Sequence, residues 1–148
     1  MSDRLPVALA NDAQTTALVY HAAADARIGA TLLLAHGAGA PQQSPFMVDF
    51  GRGLSARGID VVTFNFLYTE QKRKIPDRAP VLEACYRAAI AAARAHEPIA
   101  GNAIFIGGKS MGGRIATHLG AHLEQWPDAP TPAGIIALGY PQIGRAHV

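Results

Sequence analysis

The chain has 148 residues, 49% of them hydrophobic, which fits one domain with a buried core. Thirteen basic and eleven acidic side chains leave a formal charge of +2, and this near-balance argues against a nucleic-acid or membrane partner recognised by charge alone. The single cysteine, Cys85, excludes an intrachain disulfide framework and is expected to be a small buried apolar group.

The amino-terminal residues show no secretion pattern, because no basic segment is followed by an apolar one between Met1 and Asp12. No apolar run approaches the roughly 18 residues that span a bilayer. Together with the unpaired cysteine, these features predict a cytoplasmic protein without a membrane partner. The sequence leaves the oligomeric state open.

Apolar runs and turn signals predict the first elements. Leu5 to Ala10 and Thr16 to Tyr20 are two short apolar runs around an Asn-Asp pair, which predicts an antiparallel hairpin. Thr31 to Ala35 is apolar throughout and is typical of a strand covered on both faces. It leads into the sequence HGAGA.

A helix is predicted from Ser44, an N-cap followed by proline, to the stop at Gly58. Ile59 to Phe64 is a second buried strand. After a polar, basic loop, apolar residues at helical spacing predict a second helix over about Val81 to His96.

Ala103 to Ile106 is a third buried strand, and the segment GGKSMGG after it opens a helix that runs to about Glu124. Gly134 to Leu138 is a fourth buried strand. Apolar strands that alternate with helices predict an α/β fold, in which helices cover both faces of a mostly parallel sheet.

The segment Gly108 to Gly112 fits the pattern G-x-S-x-G, which places a nucleophilic serine on a sharp turn between a strand and a helix. The predicted strand before Ser110 and the predicted helix after it supply that context. In such a turn the two backbones pass close together, so glycines must flank the serine. Gly108, Gly112 and Gly113 meet this requirement.

The turn also places the Met111 N–H at a helix N-terminus, where it can stabilise the oxygen of a tetrahedral intermediate. In the α/β-hydrolase fold, which has this arrangement, a second donor comes from the loop after an earlier central strand. His36, Gly37, Ala38 and Gly39 form the loop at that place. Ala38 is the predicted second donor, and Gly39 is the alternative.

A phosphate-binding loop is the competing interpretation, because Gly108, Lys109 and Ser110 also match the end of G-x-x-x-x-G-K-[ST]. However, Ala103 stands at the first glycine position, and Ile104 to Ile106 is strand-like where the phosphate cradle needs a loop. The sequence therefore favours the hydrolase.

The order HGAGA, SPFM, PDRAPVLEA, GGKSMGGRIA and LGYP resembles small bacterial α/β hydrolases related to the dienelactone hydrolases and the KANL/Tex-type group, over about Thr31 to Pro141. The resemblance implies that Ser110 is the nucleophile and that Ala38 and Met111 are the oxyanion donors. It implies hydrolysis of a small carboxylic ester, with neither a cofactor nor a metal. The alternative is a hydrolase-like interaction module without catalysis.

The triad acid and histidine follow the serine along the chain in this fold, yet only 38 residues follow Ser110. His118 and His122 are carried about 12 and 18 Å away along the helix, and without a third ligand we interpret them as solvated rather than metal-binding. His36 suits a structural hydrogen-bonding role better than that of general base. We therefore expect the acid and histidine beyond the end of the chain, and an inactive fragment.

Residues 142–148 can be encoded by a nucleotide sequence that resembles a common sequencing adapter. We therefore expect a partial α/β-hydrolase domain over 1–141 and a non-native tail over 142–148, in which His147 has no catalytic role. Asp128 and the basic run Lys72 to Lys74 are interpreted as solvated loop residues, although a basic loop beside the pocket could bind an acidic substrate.

Overall fold

The computed structural model describes residues 2–122 and 131–140. Within these residues, strands and α-helices follow in the order β1 (Ser2–Ala8), β2 (Gln14–Tyr20), β3 (Ala30–Ala35), α1 (Pro45–Ala56), β4 (Asp60–Phe64), α2 (Leu67–Glu70), α3 (Ala79–Ala95), β5 (Ala103–Lys109), α4 (Met111–Ala121) and β6 (Gly134–Leu138). Among them, no helix is both long enough and apolar enough to cross a bilayer.

The strands form one sheet in the order β1-β2-β4-β3-β5-β6. The predicted hairpin of β1 and β2 is present, and β2 also pairs antiparallel with β4. The β3–β4, β3–β5 and β5–β6 pairs are parallel, so the carboxyl ends of these four strands meet at one end of the sheet. In the described chain β6 is an outer strand, and Ile135 and Ile136 are 44% and 40% exposed.

Helices cover both faces of this sheet, which confirms the predicted α/β-hydrolase architecture. Successive side chains of a strand point to opposite faces. Accordingly Leu32 and Leu34 of β3 share a buried cluster with Met47 of α1. Leu33, the residue between them, belongs to the cluster on the other face, together with Ile90 of α3. A strand buried on both faces needs apolar residues throughout, and this explains the continuous runs.

Cys85 lies in the α3 face of the core and is 2% exposed. Burial raises the pKa of its thiol to about 12. The group is therefore an uncharged, unreactive part of the core at neutral pH, as the sequence predicts.

Several element boundaries differ from the sequence predictions. Strand β5 continues to Lys109, not Ile106, because Gly107 and Gly108 pair with β3 on one side and β6 on the other. This pairing outweighs the weak strand preference of glycine. Helix α4 then begins at Met111 and ends at Ala121, whereas the predicted end at Glu124 lies outside the described residues.

The short helix α2 is absent from the sequence predictions, which assign its residues to a polar loop. It follows β4 directly, and both Phe66 and Tyr68 are fully buried. These aromatic side chains hold the chain against the sheet, although the basic residues that follow are exposed.

At the amino end of β4, the buried carboxylate of Asp60 joins three separate segments. It accepts hydrogen bonds from the Ala22 N–H at 2.7 Å and from the side chains of Arg27 and Asn102, both at 2.8 Å. Because the Asp60 side chain is completely buried, these donors replace water around its charge.

We predict that Asp60→Ala destabilises the protein by about 2 to 4 kcal/mol, because three hydrogen bonds are lost and the buried Ala22 N–H is left unpaired. Asp3→Ala is the matched control, since Asp3 pairs with His21 at 2.6 Å but is 59% exposed. Its expected cost is about 0 to 1 kcal/mol. Urea unfolding of both variants measures the difference, and equal losses would contradict this account of Asp60.

Candidate active site

Ser110 lies between the last residue of β5 and the first residue of α4, with φ 52° and ψ −115°. This region is sparsely populated by residues other than glycine, and such a conformation costs about 1 to 3 kcal/mol. The Ser110 N–H donates to the Leu138 carbonyl at 2.8 Å, which ties the turn to the end of β6. The predicted sharp turn between a strand and a helix is therefore present at Ser110.

Three glycines allow β5 and α4 to meet at this turn. A Cβ atom on Gly108 would lie 2.5 Å from the Gly112 carbonyl carbon, and one on Gly112 would lie 2.5 Å from the Ala35 carbonyl oxygen. A Cβ atom on Gly113 would lie 2.7 Å from the Gly108 carbonyl oxygen. The atoms in the way belong to the backbone and cannot rotate aside, so these three positions have no room for a side chain.

We predict that Gly112→Ala destabilises the protein by about 2 to 4 kcal/mol, because the new methyl group forces β3 and α4 apart. Gly101→Ala is the control, since a Cβ atom there meets no other atom within 4 Å. Thermal unfolding of the two variants provides the comparison. A Gly112→Ala protein as stable as Gly101→Ala would show that the backbones can separate freely.

The loop after β3 lies directly beside Ser110. A Cβ atom on Gly37 would be 3.6 Å from the Ser110 Cβ atom, and the Ala40 N–H donates to the Gly37 carbonyl at 3.3 Å, closing a turn. Among residues 2–122 and 131–140, no main-chain carbonyl accepts the N–H of Ala38 or Gly39. Both amides are therefore available to a ligand, while the assignment of Ala38 and Met111 as oxyanion donors stays a prediction.

His36 is fully buried, and both of its ring nitrogens are occupied by the main chain. Nδ1 donates to the Gly37 carbonyl at 2.7 Å, and Nε2 accepts the Phe66 N–H at 3.0 Å. The second bond requires the neutral ring, and burial lowers the pKa of His36 below its usual 6.5. His36 thus links the loops after β3 and β4, as the structural interpretation predicts, and has no free nitrogen to act as the base.

The pH dependence of stability follows from this neutral histidine. Below pH 6.5 the unfolded chain takes up a proton at His36 that the folded protein excludes, so stability falls as the pH drops from 6.5 towards the lowered folded pKa. The limiting slope for one such group is about 1.4 kcal/mol per pH unit. We expect His36→Gln to be less stable than wild type at pH 8, with the difference narrowing at pH 5.5. Urea titrations at both pH values would show a constant difference if His36 does not contribute.

The other two histidine candidates, His118 and His122, lie towards the far end of α4 from Ser110. His118 lies on α4 with its ring 3.9 Å from the carboxylate of Glu83, and His122 follows the end of the helix. No described histidine hydrogen-bonds the Ser110 hydroxyl, and no group of three potential metal ligands occurs in the described parts of the chain. Asp128 and His147, together with the 142–148 segment, lie outside the described residues.

The basic run lies beside the candidate site. A cavity of about 480 Å³ is bordered by the loop from Ala38 to Pro41 on one side and by Lys72 to Lys74 on another. Arg73 is paired with Asp77 at 2.8 Å, which neutralises one of the three charges locally.

The phosphate-loop interpretation is excluded by the backbone. Ile104 to Lys109 is paired in register with β3 or β6, and Gly108 is opposite both Ala35 and Ala137. Main-chain groups committed to a sheet ladder cannot form the open nest of N–H groups that cradles phosphate.

Tyr68 of α2 lies beside the site and is not among the residues predicted from the sequence. Its hydroxyl donates to the Ala38 carbonyl at 2.9 Å. The available signal was the pair of aromatic residues, Phe66 and Tyr68, directly after a buried strand, where loops of this fold approach the site. The basic residues Lys72 to Lys74 that follow instead favoured the prediction of a polar loop.

A strained serine between β5 and α4, with a glycine-rich loop beside it, defines a protein of the α/β-hydrolase fold. A family model described as an alpha/beta hydrolase domain matches residues 28–146, and the chain belongs to this family. No curated protein matches the sequence.

Solved structures with the same fold include three hydrolases. A serine hydrolase without a lid from Xanthomonas campestris has a TM-score of 0.72 and 21% identity, over 92% of this chain and 69% of its own. Dienelactone hydrolase from Anabaena variabilis has a TM-score of 0.66 and 15% identity, over 84% and 59%. Esterase Est22 has a TM-score of 0.79 and 15% identity, over 97% and 45%.

The TM-scores show a shared fold, and at these sequence identities the likeness shows the fold alone. The chain spans less than two thirds of the length of the dienelactone hydrolase and less than half of the length of the esterase.

Proposed function

We propose that this protein is a serine hydrolase that cleaves small carboxylic esters through an acyl-enzyme on Ser110. The observation that carries the proposal is the conformation of Ser110, at φ 52° and ψ −115°, next to the turn at Gly37. A strained residue persists only where the surrounding structure determines it, and such residues cluster at reactive sites.

In the proposed reaction the Ser110 oxygen attacks the ester carbonyl carbon while its proton passes to a base. The carbonyl oxygen becomes an oxyanion, which the Ala38 and Met111 N–H groups stabilise. The intermediate collapses, the C–O bond to the alcohol breaks, and the alcohol leaves with the proton. Water then attacks the acyl-enzyme by the same route and releases the carboxylic acid and free Ser110.

We propose that the base and the acid that orients it come from residues outside the described ones. Within the described residues His36 has both nitrogens engaged, and His118 lies two helical turns beyond Ser110. Without a base the serine remains a neutral hydroxyl, and only the small rate gain of binding and oxyanion stabilisation is left. The described residues by themselves therefore leave Ser110 without a base.

The substrate class is supported by the structural neighbours, which are esterases and serine hydrolases, and one structure of Est22 contains p-nitrophenol. The proposed chemistry needs no cofactor.

Motifs such as PDRAPVLEA support a place in the KANL/Tex-type group. The free thiol of Cys85 supports a cytoplasmic location.

The test is hydrolysis of p-nitrophenyl acetate by the gene product as encoded in its genome, compared with its Ser110→Ala variant. We expect a loss of at least about 10³-fold, since a triad without its nucleophile keeps only residual catalysis. Thr117→Val is the matched control, because it removes a hydroxyl about two turns beyond Ser110 on α4, where Thr117 donates to the Gly113 carbonyl. Its activity should stay within about twofold of wild type.

Labelling of Ser110 by a fluorophosphonate probe accompanies the assay, and mass spectrometry locates the adduct. A folded gene product that neither hydrolyses the ester nor forms a Ser110 adduct would overturn the hydrolase proposal and support the interaction module.

A further inference from the structure

We propose that Tyr68 is a positioning residue for the oxyanion-binding loop, acting by fixing the peptide between Ala38 and Gly39. The inference rests on the proposed function and adds a residue to it. Tyr68 touches no reacting atom in this scheme, and its effect passes through the main chain of the loop.

The contact itself is well defined. The Tyr68 hydroxyl donates to the Ala38 carbonyl at 2.9 Å, and the residue is 1% exposed. Its ring meets the His36 ring edge-on, with centroids 6.2 Å apart at 63°. The Arg73 N–H donates to the Tyr68 carbonyl at 2.8 Å, so the backbone that carries the side chain is also held.

Because the peptide bond is planar, the hydrogen bond from Tyr68 to the Ala38 carbonyl also determines where the N–H of the same peptide points. A trans peptide is planar, and its C=O and N–H point in opposite directions. A donor that holds the Ala38 carbonyl therefore sets the direction of the Gly39 N–H. In the same way, the bond from His36 Nδ1 to the Gly37 carbonyl sets the direction of the Ala38 N–H.

Two consecutive peptides of the loop are thus held by side chains that come from different strand ends. Neither the Ala38 nor the Gly39 N–H has a main-chain acceptor in the described part of the chain. A hydrogen bond to a carbonyl also polarises its peptide and strengthens the N–H as a donor. Tyr68 and His36 together can therefore preorganise both candidate oxyanion donors before a substrate arrives.

The hydroxyl is suited to this role because it stays protonated. Burial is the main cause that raises the pKa of Tyr68 above its usual 10. Through the neutral pH range it is a donor to the Ala38 carbonyl, with no charge that would repel an oxyanion.

The experiment is Tyr68→Phe in the gene product as encoded in its genome, with Tyr20→Phe as the matched control. Tyr20 is 4% exposed, packs against α1, and has no hydrogen bond from its hydroxyl within the described residues. Both variants lose one oxygen from a buried ring. Rates are expressed per Ser110 labelled by the fluorophosphonate, so a partly unfolded preparation does not alter them.

For Tyr68→Phe we expect kcat to fall about three- to tenfold with KM within about twofold, because the lost hydrogen bond fixes the peptide that follows the proposed transition-state donor at Ala38. A trifluoromethyl ketone, which forms an oxyanion adduct with serine, should bind weaker by the same factor as kcat/KM falls. Tyr20→Phe should leave kcat, KM and inhibitor binding within about twofold of wild type.

Unchanged kcat and inhibitor binding in an active Tyr68→Phe protein would overturn the positioning role while leaving the proposed function intact. A rise in KM alone, with kcat unchanged, would also overturn it, because that result indicates a contact with substrate and not with the transition state. A wild-type protein in which Ser110 is never labelled would overturn the proposed function, and the role of Tyr68 with it.

Discussion

The close approach of β5 and α4 is the constraint on which the rest of the site depends. Gly108 of β5 and Gly113 of α4 leave no room for a Cβ atom between the two backbones, so the chain must reverse direction within one residue. That residue is Ser110, and its positive φ results from the short path. Parallel pairing with β3 then brings the loop at Gly37 beside it, because adjacent parallel strands end at the same side of the sheet.

The two ends of the sheet use buried polar groups differently. At the amino end, the Asp60 carboxylate collects donors from three segments and stabilises the connections there. At the carboxyl end, His36 and Tyr68 donate to carbonyls of a single loop, and the Ala38 and Gly39 N–H groups of that loop have no main-chain acceptor among the described residues. The first arrangement pairs a buried carboxylate with three donors, whereas the second leaves two donors available for a ligand.

The sequence alone predicted the order of the main elements, the hairpin, the turn at Ser110 and the glycines around it. These features depend on local patterns such as apolar runs and the spacing in GKSMG. Helix α2 and the extension of β5 could not be predicted, because both depend on partners distant in sequence. Tyr68 illustrates this limit: an aromatic pair after a buried strand indicates that it lies near the site, but its contact with Ala38 spans 30 residues and cannot be inferred locally.

The conformation of Ser110 affects which substitutions are favourable at this position. A glycine adopts φ 52° without the steric penalty that a serine carries, so exchanging the hydroxyl for hydrogen would relieve strain at this turn. A lineage that no longer used the hydroxyl would gain stability from that exchange. The hydroxyl at this turn is therefore held at a cost in backbone strain that a glycine at the same position would not carry.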